Sequence, residues 1–300
     1  MNKSLDQAKR IEADLDKHQI RLLTYDLPSY PEAVKVLPMA PVLMYYKGYL
    51  RENSIGVGII GSRRCTEYGK RVTSEVAMFL AQQGVPVISG MAKGIDGYAH
   101  TACLKAGGYT LAFLGHGLDL CYPKEHLSLL EAIIENGAAL SQYPPGTETR
   151  AGYFPQRNAL IAAWSYKILV VEAGVRSGAL ITARSARDQG RKVLAVPNSI
   201  YSPESVGTNR LIAEGAEILT DFAQLVSEVR VLPKPMATVN CELSSLEKAV
   251  FDSLIVPKNI EELKDLANGD IALLNETLCT MELAGRVTIG AGNIVRRAVP

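Results

Sequence analysis

Glycine, serine and arginine follow the first strongly apolar segment of the chain. Gly61-Ser62-Arg63 comes directly after IGVGII (55–60), and a helical pattern follows. Glycine lets a backbone approach a ligand closely, helix N-terminal amides attract anions, and arginine offers a planar fork to phosphate oxygens. This turn therefore indicates a phosphate-binding loop. The alternative is an ordinary strand-to-helix turn with a solvated arginine.

Two later turns repeat this chemistry. SGMAKGIDGYAH (89–100) places Lys93 among glycines, and LGHGLDLCYPKEH (114–126) places Lys124 beside an aromatic ring. Asp96 and His100 have the i,i+4 spacing of a catalytic pair. Such an aspartate is more often a structural cap and such a histidine more often packs in the core, so we predict no catalytic residue.

Arginines and aromatic rings are interleaved in RAGYFPQRN (150–158), just before a helical pattern. Its candidate binding residues are Arg150, Phe154, Arg157 and Asn158. A single strand of nucleic acid needs cations for its phosphates and rings for its unstacked bases, and this segment offers both. The alternative is a loop that covers the core with its aromatic side chains.

Two other motifs bear on phosphate binding. Ser177 and Gly178 open a helical pattern shortly after the apolar segment ILVV (168–171), which makes either an anion site or an ordinary N-cap. The GxGxxG motif at 56–61 has two of its glycines inside the strand, and no carboxylate ends the next strand at Ser89-Gly90. A dinucleotide fingerprint needs a strand before its first glycine and an acidic residue about 20 positions later, so we predict no nicotinamide or flavin cofactor.

Short apolar segments must position these turns. Six of them recur between residues 55 and 196: IGVGII (55–60), VPVI (85–88), TLAFL (110–114), AAL (138–140), ILVV (168–171) and KVLAV (192–196). Near-continuous apolar strands that alternate with amphipathic helices predict a parallel sheet covered on both faces. The candidate residues then gather at the carboxyl edge, where open α/β sheets bind ligands. The predicted fold class is α/β, a Rossmann-like, doubly wound, mostly parallel sheet.

The rest of the chain divides around this sheet. Residues 1–54 form an N-terminal extension and lead-in, 55–230 the Rossmann-like domain, and 231–242 a proline-containing linker. Residues 243–300 have three helical patterns followed by the alternation of a β-hairpin, which is typical of a winged helix. We therefore predict a small C-terminal winged-helix-like domain.

Composition narrows the class of protein. Hydrophobic residues make up 47% and charged residues 21% of the chain, as in soluble globular proteins, and the formal net charge is only +1. Any nucleic-acid site must therefore be a local cluster of cations. The five cysteines are widely spaced without a CxxC pair, and His116 and His126 lack convincing ligand partners, so we predict neither a metal site nor a disulfide framework.

The sequence contains no recognisable targeting signal, which favours a cytoplasmic location. The first residues are polar and helix-forming, without the apolar core of a signal peptide. No stretch approaches the roughly 20 apolar residues that cross a bilayer. We expect a cytoplasmic protein that does not bind a membrane.

Taken in order, the motifs resemble those of the DprA/Smf family of DNA-processing proteins. The matching segments are GSR (61–63), SGMAKGIDGYAH (89–100), GHGLDLCYP (115–123), FPQRN (154–158), VVEAGVRSGALITA (170–183), GRKVLAVP (190–197) and GTNRLIAEGA (207–216). YPEAVKVLPMAPVLMYYKG (30–48) is similar to the lead-in of that family. The resemblance covers roughly residues 20–225.

This resemblance implies a function. Members bind single-stranded DNA cooperatively, form homodimers through the Rossmann-like domain and help load RecA during natural transformation, with no established catalytic activity. By position, the DNA-contacting cations of the family fall on Arg63, Lys124, Arg150 and Arg157, with Lys93 as a further candidate. We therefore expect a DNA-binding protein, not an enzyme, that protects incoming DNA and assists RecA in recombination.

Three positions depart from the family pattern. Ala159 replaces the arginine that usually follows Arg-Asn, Gln142 replaces a glutamate, and Asn198 replaces a glycine. Losing one cation weakens the attraction for phosphates. The other two changes have no evident consequence.

A winged helix could supply a second DNA site, but the charge of this one argues against it. From Met236 to Pro300 there are six lysines and arginines against nine aspartates and glutamates, a net charge of −3. Phosphate binding draws its affinity from cations. We expect a structural or protein-binding role for this module.

The alternative function is enzymatic. Phosphoribohydrolases of the same superfamily cleave nucleoside monophosphates, and Glu172 before a glycine-containing helix start has a faint similarity to them. Their PGGxGTxxE signature is missing, since EAGVRSGALIT (172–182) has no glutamate after the threonine. A relative that binds a small phosphorylated ligand is the third alternative.

Overall fold

The computed structural model describes residues 2–52, 54–227, 244–254, 256–283, 286–290 and 293–297. These residues belong to two compact units, Met1–Met236 and Ala237–Pro300. The predicted linker at 231–242 lies wholly in the gap between 227 and 244, outside the described residues. All candidate binding residues are in the first unit.

One large sheet forms the centre of the first unit. Its strands are β1 (Arg21–Thr24), β2 (Leu43–Gly48), β3 (Gly56–Ile60), β4 (Val87–Ser89), β5 (Thr110–Leu114), β6 (Ala138–Ser141), β7 (Ser165–Val170), β8 (Lys192–Ala195) and β9 (Glu217–Ile218). Their order is β1-β2-β6-β5-β4-β3-β7-β8-β9, and all pairs from β6 to β9 in this order are parallel. The predicted mostly parallel sheet is confirmed.

Helices cover both faces of this sheet. They are α1 (Asn2–His18), α2 (Glu32–Lys35), α3 (Glu67–Gln82), α4 (Ile95–Lys105), α5 (Leu127–Asn136), α6 (Tyr153–Ala163), α7 (Gly178–Asp188), α8 (Val206–Ala213) and α9 (Ala223–Val226). Ile59 packs with α3 and α4, whereas the next residue, Ile60, packs with α6 and α7 on the other face. Because both faces are covered, every residue of β3 and β5 is buried, which explains their near-continuous apolar sequences.

The order of the strands reverses between β3 and β7. From β3 the chain moves outwards through β4, β5 and β6, and from β7 it moves in the opposite direction through β8 and β9. Loops at such a reversal diverge and leave a crevice outside the carboxyl ends of the strands. The fold therefore places the turn after β3 and the turn after β7 at the edge where open α/β sheets bind ligands.

The lead-in contributes two strands to the same sheet. β1 pairs antiparallel with β2, and β2 pairs antiparallel with β6. Leu23 and Met44 of these strands are buried, and Tyr30 packs against Trp164 with ring centroids 5.5 Å apart. The local sequence of these strands does not identify their partner, because strand pairing across the sheet is a tertiary contact.

The second unit has its own core and its own sheet. It contains α10 (Ser245–Ser253), β10 (Lys258–Asn259), a 3₁₀ helix (Ile260–Ala267), α11 (Ile271–Leu283), β11 (Val287–Gly290) and β12 (Ile294–Arg297). The strands are antiparallel in the order β10-β12-β11, and Val250, Leu274 and Val295 are buried between strands and helices. The predicted small domain of helices and a terminal hairpin is confirmed, and its winged-helix assignment stays a prediction.

None of the helices in the described parts of the chain combines the length and the apolar composition needed to cross a bilayer.

Candidate nucleic-acid interface

Arg63 lies exposed in the turn between β3 and α3. This turn packs against the start of α4, because the Ser62 carbonyl accepts a hydrogen bond from the Ile95 amide at 3.2 Å. At Gly61 an added Cβ atom would lie 2.6 Å from the Ile95 side chain, so only glycine fits this close approach. Among the described residues, Arg63 has a ring as its neighbour and no hydrogen-bond acceptor, which leaves its donors to a ligand.

Phe154 lies at the centre of the candidate site. It is half-buried in the first turn of α6, and its ring centroid lies 5.4 Å from the guanidinium carbon of Arg63. The ring of Tyr122, in the loop after β5, lies 6.2 Å away at an angle of 44°. At Gly115, an added Cβ atom would lie 3.5 Å from the Phe154 ring. Three separate segments therefore bring one cation and two rings together at the carboxyl edge of the sheet.

A second cation and a second pair of rings lie at the start of α6. Tyr143 and Tyr153 stack with centroids 4.1 Å apart at an angle of 28°. Arg150 is exposed, and its guanidinium carbon lies 5.9 Å from the centroid of Tyr153. The Tyr143 hydroxyl donates to the side-chain oxygen of Gln156 at 2.6 Å. Tyr143, in the loop after β6, thus adds a further ring beside the cations and rings of residues 150–158.

Arg157 occupies a different position from the other candidate cations. It is 4% exposed, and its Nη1 donates hydrogen bonds to the Gly90 carbonyl and, at 2.8 Å, to the Phe113 carbonyl. Burial lowers the pKa of Arg157 to about 10, against the attraction of the Asp96 carboxylate. A guanidinium that is buried and bonded to backbone carbonyls does not suit a phosphate contact. The expected phosphate-contacting role of Arg157 is therefore corrected, since the side chain lies beneath the surface.

The two lysine candidates also differ. Lys93 forms an ion pair with Glu125, and the hydrogen bond from Lys93 lowers the pKa of that carboxyl. Part of the Lys93 charge is therefore matched within the protein. Lys124 is exposed at the start of a short 3₁₀ turn, Lys124–His126, and has no carboxylate partner in the described parts of the chain.

The start of α7 has the geometry of an ordinary N-cap. Ser177 Oγ accepts a hydrogen bond from the Ala179 amide at 3.3 Å. Gly178 is exposed, with open space where a side chain would be. Because β7 neighbours β3, both residues lie at the same edge of the sheet as Arg63. Asn158, the remaining candidate, is half-buried on α6.

Asp96 and His100 are buried and have separate partners. The Asp96 carboxylate accepts hydrogen bonds from the amides of Gly90 and Ala92 at 3.1 and 3.3 Å. His100 Nδ1 shares a 2.7 Å hydrogen bond with the Thr110 hydroxyl. Burial raises the pKa of Asp96 and lowers that of His100 to about 3. Asp96 thus caps the preceding loop instead of the amides of α4, and the two side chains have no common bonding partner.

The other buried histidines bond to backbone carbonyls. His116 Nδ1 donates to the Gly117 carbonyl at 2.9 Å, and His126 Nδ1 donates to the Met91 carbonyl at 3.1 Å. Within the described ranges, no group of three or more histidine, cysteine, aspartate or glutamate side chains is arranged to hold a metal ion.

Glu172 has a structural role that the sequence motifs did not reveal. It is fully buried after β7, and its two oxygens accept hydrogen bonds from the amide, at 2.9 Å, and the hydroxyl of Thr66. Thr66 is the N-cap of α3. At Gly69 an added Cβ atom would lie 2.4 Å from the Glu172 carboxylate. A glycine in the first turn of α3 was therefore the one feature of the sequence that could have indicated this contact. The carboxylate is thus committed to the start of α3.

The departures from the family pattern occupy three different environments. Ala159 lies where α6 meets α7, and its carbonyl accepts a hydrogen bond from Gln189 at 3.1 Å. Gln142 donates to the Tyr143 hydroxyl at 2.9 Å. The Asn198 side-chain oxygen accepts from the Ser199 amide at 2.7 Å. The side chains of Gln142 and Asn198 therefore bond within loops at the carboxyl edge of the sheet.

Relatives in other organisms match most of this chain. The family model described as DNA recombination-mediator protein A matches residues 21–230. Protein Smf of Synechocystis is 41% identical over 227 residues, which cover 73% of this chain and 57% of that protein. DNA processing protein DprA of Bacillus subtilis is 34% identical over 222 residues, or 73% of this chain and 75% of the relative. The chain thus spans little more than half the length of the Synechocystis protein.

Solved structures agree with these relatives. DNA processing protein A from Streptococcus pneumoniae matches with a TM-score of 0.66 at 36% identity, over 72% of this chain and 77% of that one. A structure of the Helicobacter pylori protein, described for its single-stranded DNA binding mode, matches with a TM-score of 0.63 at 29% identity, over 70% and 95%. The motif order, the sheet and these matches together show that the chain belongs to the DprA/Smf family of DNA-processing proteins.

Proposed function

We propose that this chain binds single-stranded DNA at the carboxyl edge of its parallel sheet. The observation that carries the proposal is the grouping of Arg63, Phe154 and Tyr122 on three turns that meet there. A guanidinium whose donors are available attracts a phosphate, and a ring at the surface offers its face to a base. A single strand presents both groups at every nucleotide.

The same geometry favours a single strand over a duplex. Bases in a duplex stack on one another, so a ring such as Phe154 reaches a base face only where the strand is unstacked. The net charge of +1 supplies no general attraction for the dense phosphate charge of a duplex. The exposed Lys124 and Arg150 instead add positive charge locally, close in the chain to the rings of Tyr122 and Tyr153.

Within this proposal the residues divide by role. Arg63, Lys124 and Arg150 contact phosphates, and Phe154 stacks with a base. The remaining candidates contribute backbone or polar groups at the same edge: Gly61, Ser62, Lys93, Asn158, Ser177 and Gly178.

The relatives support a wider role in DNA processing. The Helicobacter pylori structure is described for its single-stranded DNA binding mode, and the matched family is that of a recombination mediator. We extend the proposal to homodimerisation, protection of incoming DNA and RecA loading in natural transformation. Sedimentation velocity tests the dimer. RecA-catalysed ATP hydrolysis on strands coated with a single-stranded-DNA-binding protein tests loading, which should increase when this chain is added.

The proposal includes no covalent chemistry on the DNA. Asp96, His100 and Glu172, the groups that could have acted as an acid, a base or a nucleophile, are buried and bonded within the protein. Incubation with AMP, followed by chromatography for free adenine, tests the enzymatic alternative.

Fluorescence anisotropy of labelled oligo-dT and of a matched duplex, across a salt series, tests DNA binding directly. Loss of one charged phosphate contact should raise the dissociation constant of Arg63→Ala about tenfold and reduce the salt slope by about 0.7. The matched control is Arg21→Ala, which removes an exposed arginine from β1, five strands and about 24 Å across the sheet from β3. It should bind like the wild type.

Two results would contradict the proposal. One is a wild type that binds neither DNA; the other is an Arg63→Ala variant that binds as tightly as Arg21→Ala. A thermal shift with nucleotides would then decide whether the edge binds a small phosphorylated ligand.

A further inference from the structure

We infer that Asp96 and Arg157 form a buried pair that positions the binding residues Arg63 and Phe154 without contacting DNA. The inference rests on the proposed binding of a single strand at this edge. It assigns to two charged residues a role that differs from a phosphate contact or a catalytic acid.

The pair holds the Gly90 residue from both ends. The Gly90 amide donates to Asp96 at 3.1 Å, and the Gly90 carbonyl accepts from Nη1 of Arg157. An added Cβ atom at Gly90 would lie 1.9 Å from that nitrogen and 2.9 Å from the Asp96 carboxylate. The absence of a side chain therefore lets both charged groups close on the same peptide unit.

The loop held in this way supports the backbone of Arg63. Met91, directly after Gly90, has a φ of +57°, which is uncommon for a residue with a side chain. Gly94 has a φ of +75°, and an added Cβ atom there would lie 2.3 Å from the Ser62 carbonyl and 2.7 Å from that of Arg63. A loop fixed in this conformation packs directly against the turn that carries the exposed guanidinium.

The pair also supports the ring of Phe154. Arg157 follows Phe154 by three residues on α6, so their side chains share one helical face, and its guanidinium carbon lies 5.7 Å from the ring centroid. The same guanidinium donates to the Phe113 carbonyl in β5, two residues before the Gly115 that faces the ring. Arg157 therefore ties α6 to β5, whose following loop carries Gly115 and Tyr122 beside the ring, and to Gly90 in the loop after β4.

The buried guanidinium of Arg157 needs the opposite charge of Asp96 nearby. Arg157 and Asp96 are 4% and 7% exposed, and the pKa of Arg157, at about 10, keeps it protonated at neutral pH. The Asp96 carboxylate attracts Arg157 and accepts from the amides of Gly90 and Ala92, so an amide in its place weakens these interactions and the loop is expected to rearrange. The Nε–H of Arg157 finds no acceptor among the described residues. Both hydrogen bonds come from Nη1, and a lysine would replace the planar guanidinium near the Phe154 ring by an ammonium on a flexible stem.

Asp96→Asn distinguishes positioning from simple electrostatics. Removing a negative charge beneath a phosphate-binding surface should tighten DNA binding if charge alone matters. If the carboxylate positions the loop, the same substitution should weaken binding. The two explanations therefore predict opposite signs.

The experiment compares Arg157→Lys, Asp96→Asn, Arg63→Ala and Arg21→Ala in the full chain. Anisotropy with oligo-dT is measured across a salt series, below the thermal transition of each variant as followed by circular dichroism. We expect Arg157→Lys and Asp96→Asn to raise the dissociation constant about tenfold with the salt slope of the wild type. Arg63→Ala, in contrast, should reduce the slope by about 0.7.

Base stacking supplies a second readout that loss of stability alone would not change. An oligonucleotide with 2-aminopurine reports stacking on Phe154 as quenched fluorescence at saturating protein. The quenching should decrease in Arg157→Lys and Asp96→Asn and persist in Arg63→Ala. If Arg157→Lys does not fold, Asp96→Asn decides by the sign of its effect on affinity.

Each contrary result has a distinct meaning. A reduced salt slope in Arg157→Lys would show that Arg157 contacts phosphate, and tighter binding by Asp96→Asn would show that the pair acts through its charge. Wild-type affinity in both variants would also overturn the inference. A wild type that does not bind oligo-dT overturns the proposed function itself, and the inference with it.

Discussion

Among the described residues of each unit, an exposed arginine lies near a phenylalanine ring. In the first unit the guanidinium carbon of Arg63 lies 5.4 Å from the centroid of Phe154, and in the second that of Arg297 lies 4.4 Å from the centroid of Phe251. By distance alone, the second is the closer cation–π contact. However, Arg297 also donates from Nε to the Phe251 carbonyl at 3.0 Å, whereas Arg63 has no acceptor in the described parts of the chain.

The other two arginines of the second unit, Arg286 and Arg296, also have partners within that unit. Arg296 donates to the Thr288 hydroxyl at 3.0 Å, and Arg286 pairs with Glu247 at 3.4 Å. The sequence of α11, Ile271–Leu283, contains no lysine or arginine. A cation beside a ring is therefore a structural contact where its donors are used within the fold. It becomes a candidate for nucleic-acid binding where they are left to a ligand.

Removing each phenylalanine in turn tests this comparison with the largest expected effect. Phe154→Ala should weaken binding of oligo-dT by about 1–3 kcal/mol, the range for loss of one base–aromatic stack. The salt slope should stay unchanged, since no phosphate contact is lost. Fluorescence anisotropy measures both quantities.

The matched control for this prediction is Phe251→Ala, which removes the same side chain from the other unit. It should leave the affinity for oligo-dT unchanged, provided that circular dichroism shows a folded protein. Equal losses in the two variants would mean that the surroundings of the rings do not matter, and the comparison would fail.

The units should also respond differently to acid. Burial lowers the pKa of His100 to about 3, whereas the unfolded chain takes up this proton near pH 6.5. Between these values the unfolded state binds more protons, so the free energy of unfolding falls as pH falls, by about 1.4 kcal/mol per pH unit. His116 and His126 also have lowered pKa values and add to the loss. The raised pKa of Asp96 opposes it above about pH 3.9, where the folded state binds a proton that the unfolded state has released.

Trp164, the one tryptophan of the chain, reports this loss because it is buried in the first unit. Urea unfolding followed by its fluorescence should have a lower midpoint at pH 5.5 than at pH 7.5. His100→Gln should reduce the difference, since an amide does not titrate. A midpoint that is the same at both pH values would contradict the burial of neutral histidines. The sequence after His126 has no histidine to produce such a shift in the second unit.

The smallest effect is expected for the cations of the terminal hairpin. Arg296→Glu combined with Arg297→Glu reverses two exposed charges in the second unit. We expect a change in the dissociation constant for oligo-dT of less than about twofold, because both guanidiniums already donate to groups within the second unit. Anisotropy at two salt concentrations measures it. A loss as large as that of Arg63→Ala would place DNA on the second unit as well.

Much of the fold could be predicted from the sequence because burial on both faces leaves a strong pattern. The apolar run at 110–114 coincides with β5, and the run at 192–196 contains β8. The pairing of β2 with β6 could not be predicted, because an antiparallel edge strand has no local signal for its neighbour. The winged-helix assignment of the second unit remains a prediction.

The sequence predicted individual residues of the candidate site, but neither their exposure nor their contacts with one another. Arg150 and Arg157 lie in one motif and have the same side chain, yet Arg150 is exposed and Arg157 is buried, with an exposed fraction of 4%. Helical spacing alone does not tell which face of α6 meets the sheet. The contact between Arg63 and Phe154 was equally hidden, because it depends on how the turn after β3 and the start of α6 are brought together.

The starts of two helices show what the sequence by itself determined. At α10, Ser244 accepts from the Glu247 amide at 3.2 Å, and the Glu247 carboxylate accepts from the Ser244 amide at 2.9 Å. The S-x-x-E pattern suffices there, because all groups lie within one helical turn. At α3, the carboxylate that holds Thr66 belongs to Glu172, 106 residues further along the chain. Only the tertiary structure decided that contact. The pairing of β7 with β3 brings Glu172 next to Thr66, and the buried carboxylate needs a hydrogen-bond donor there.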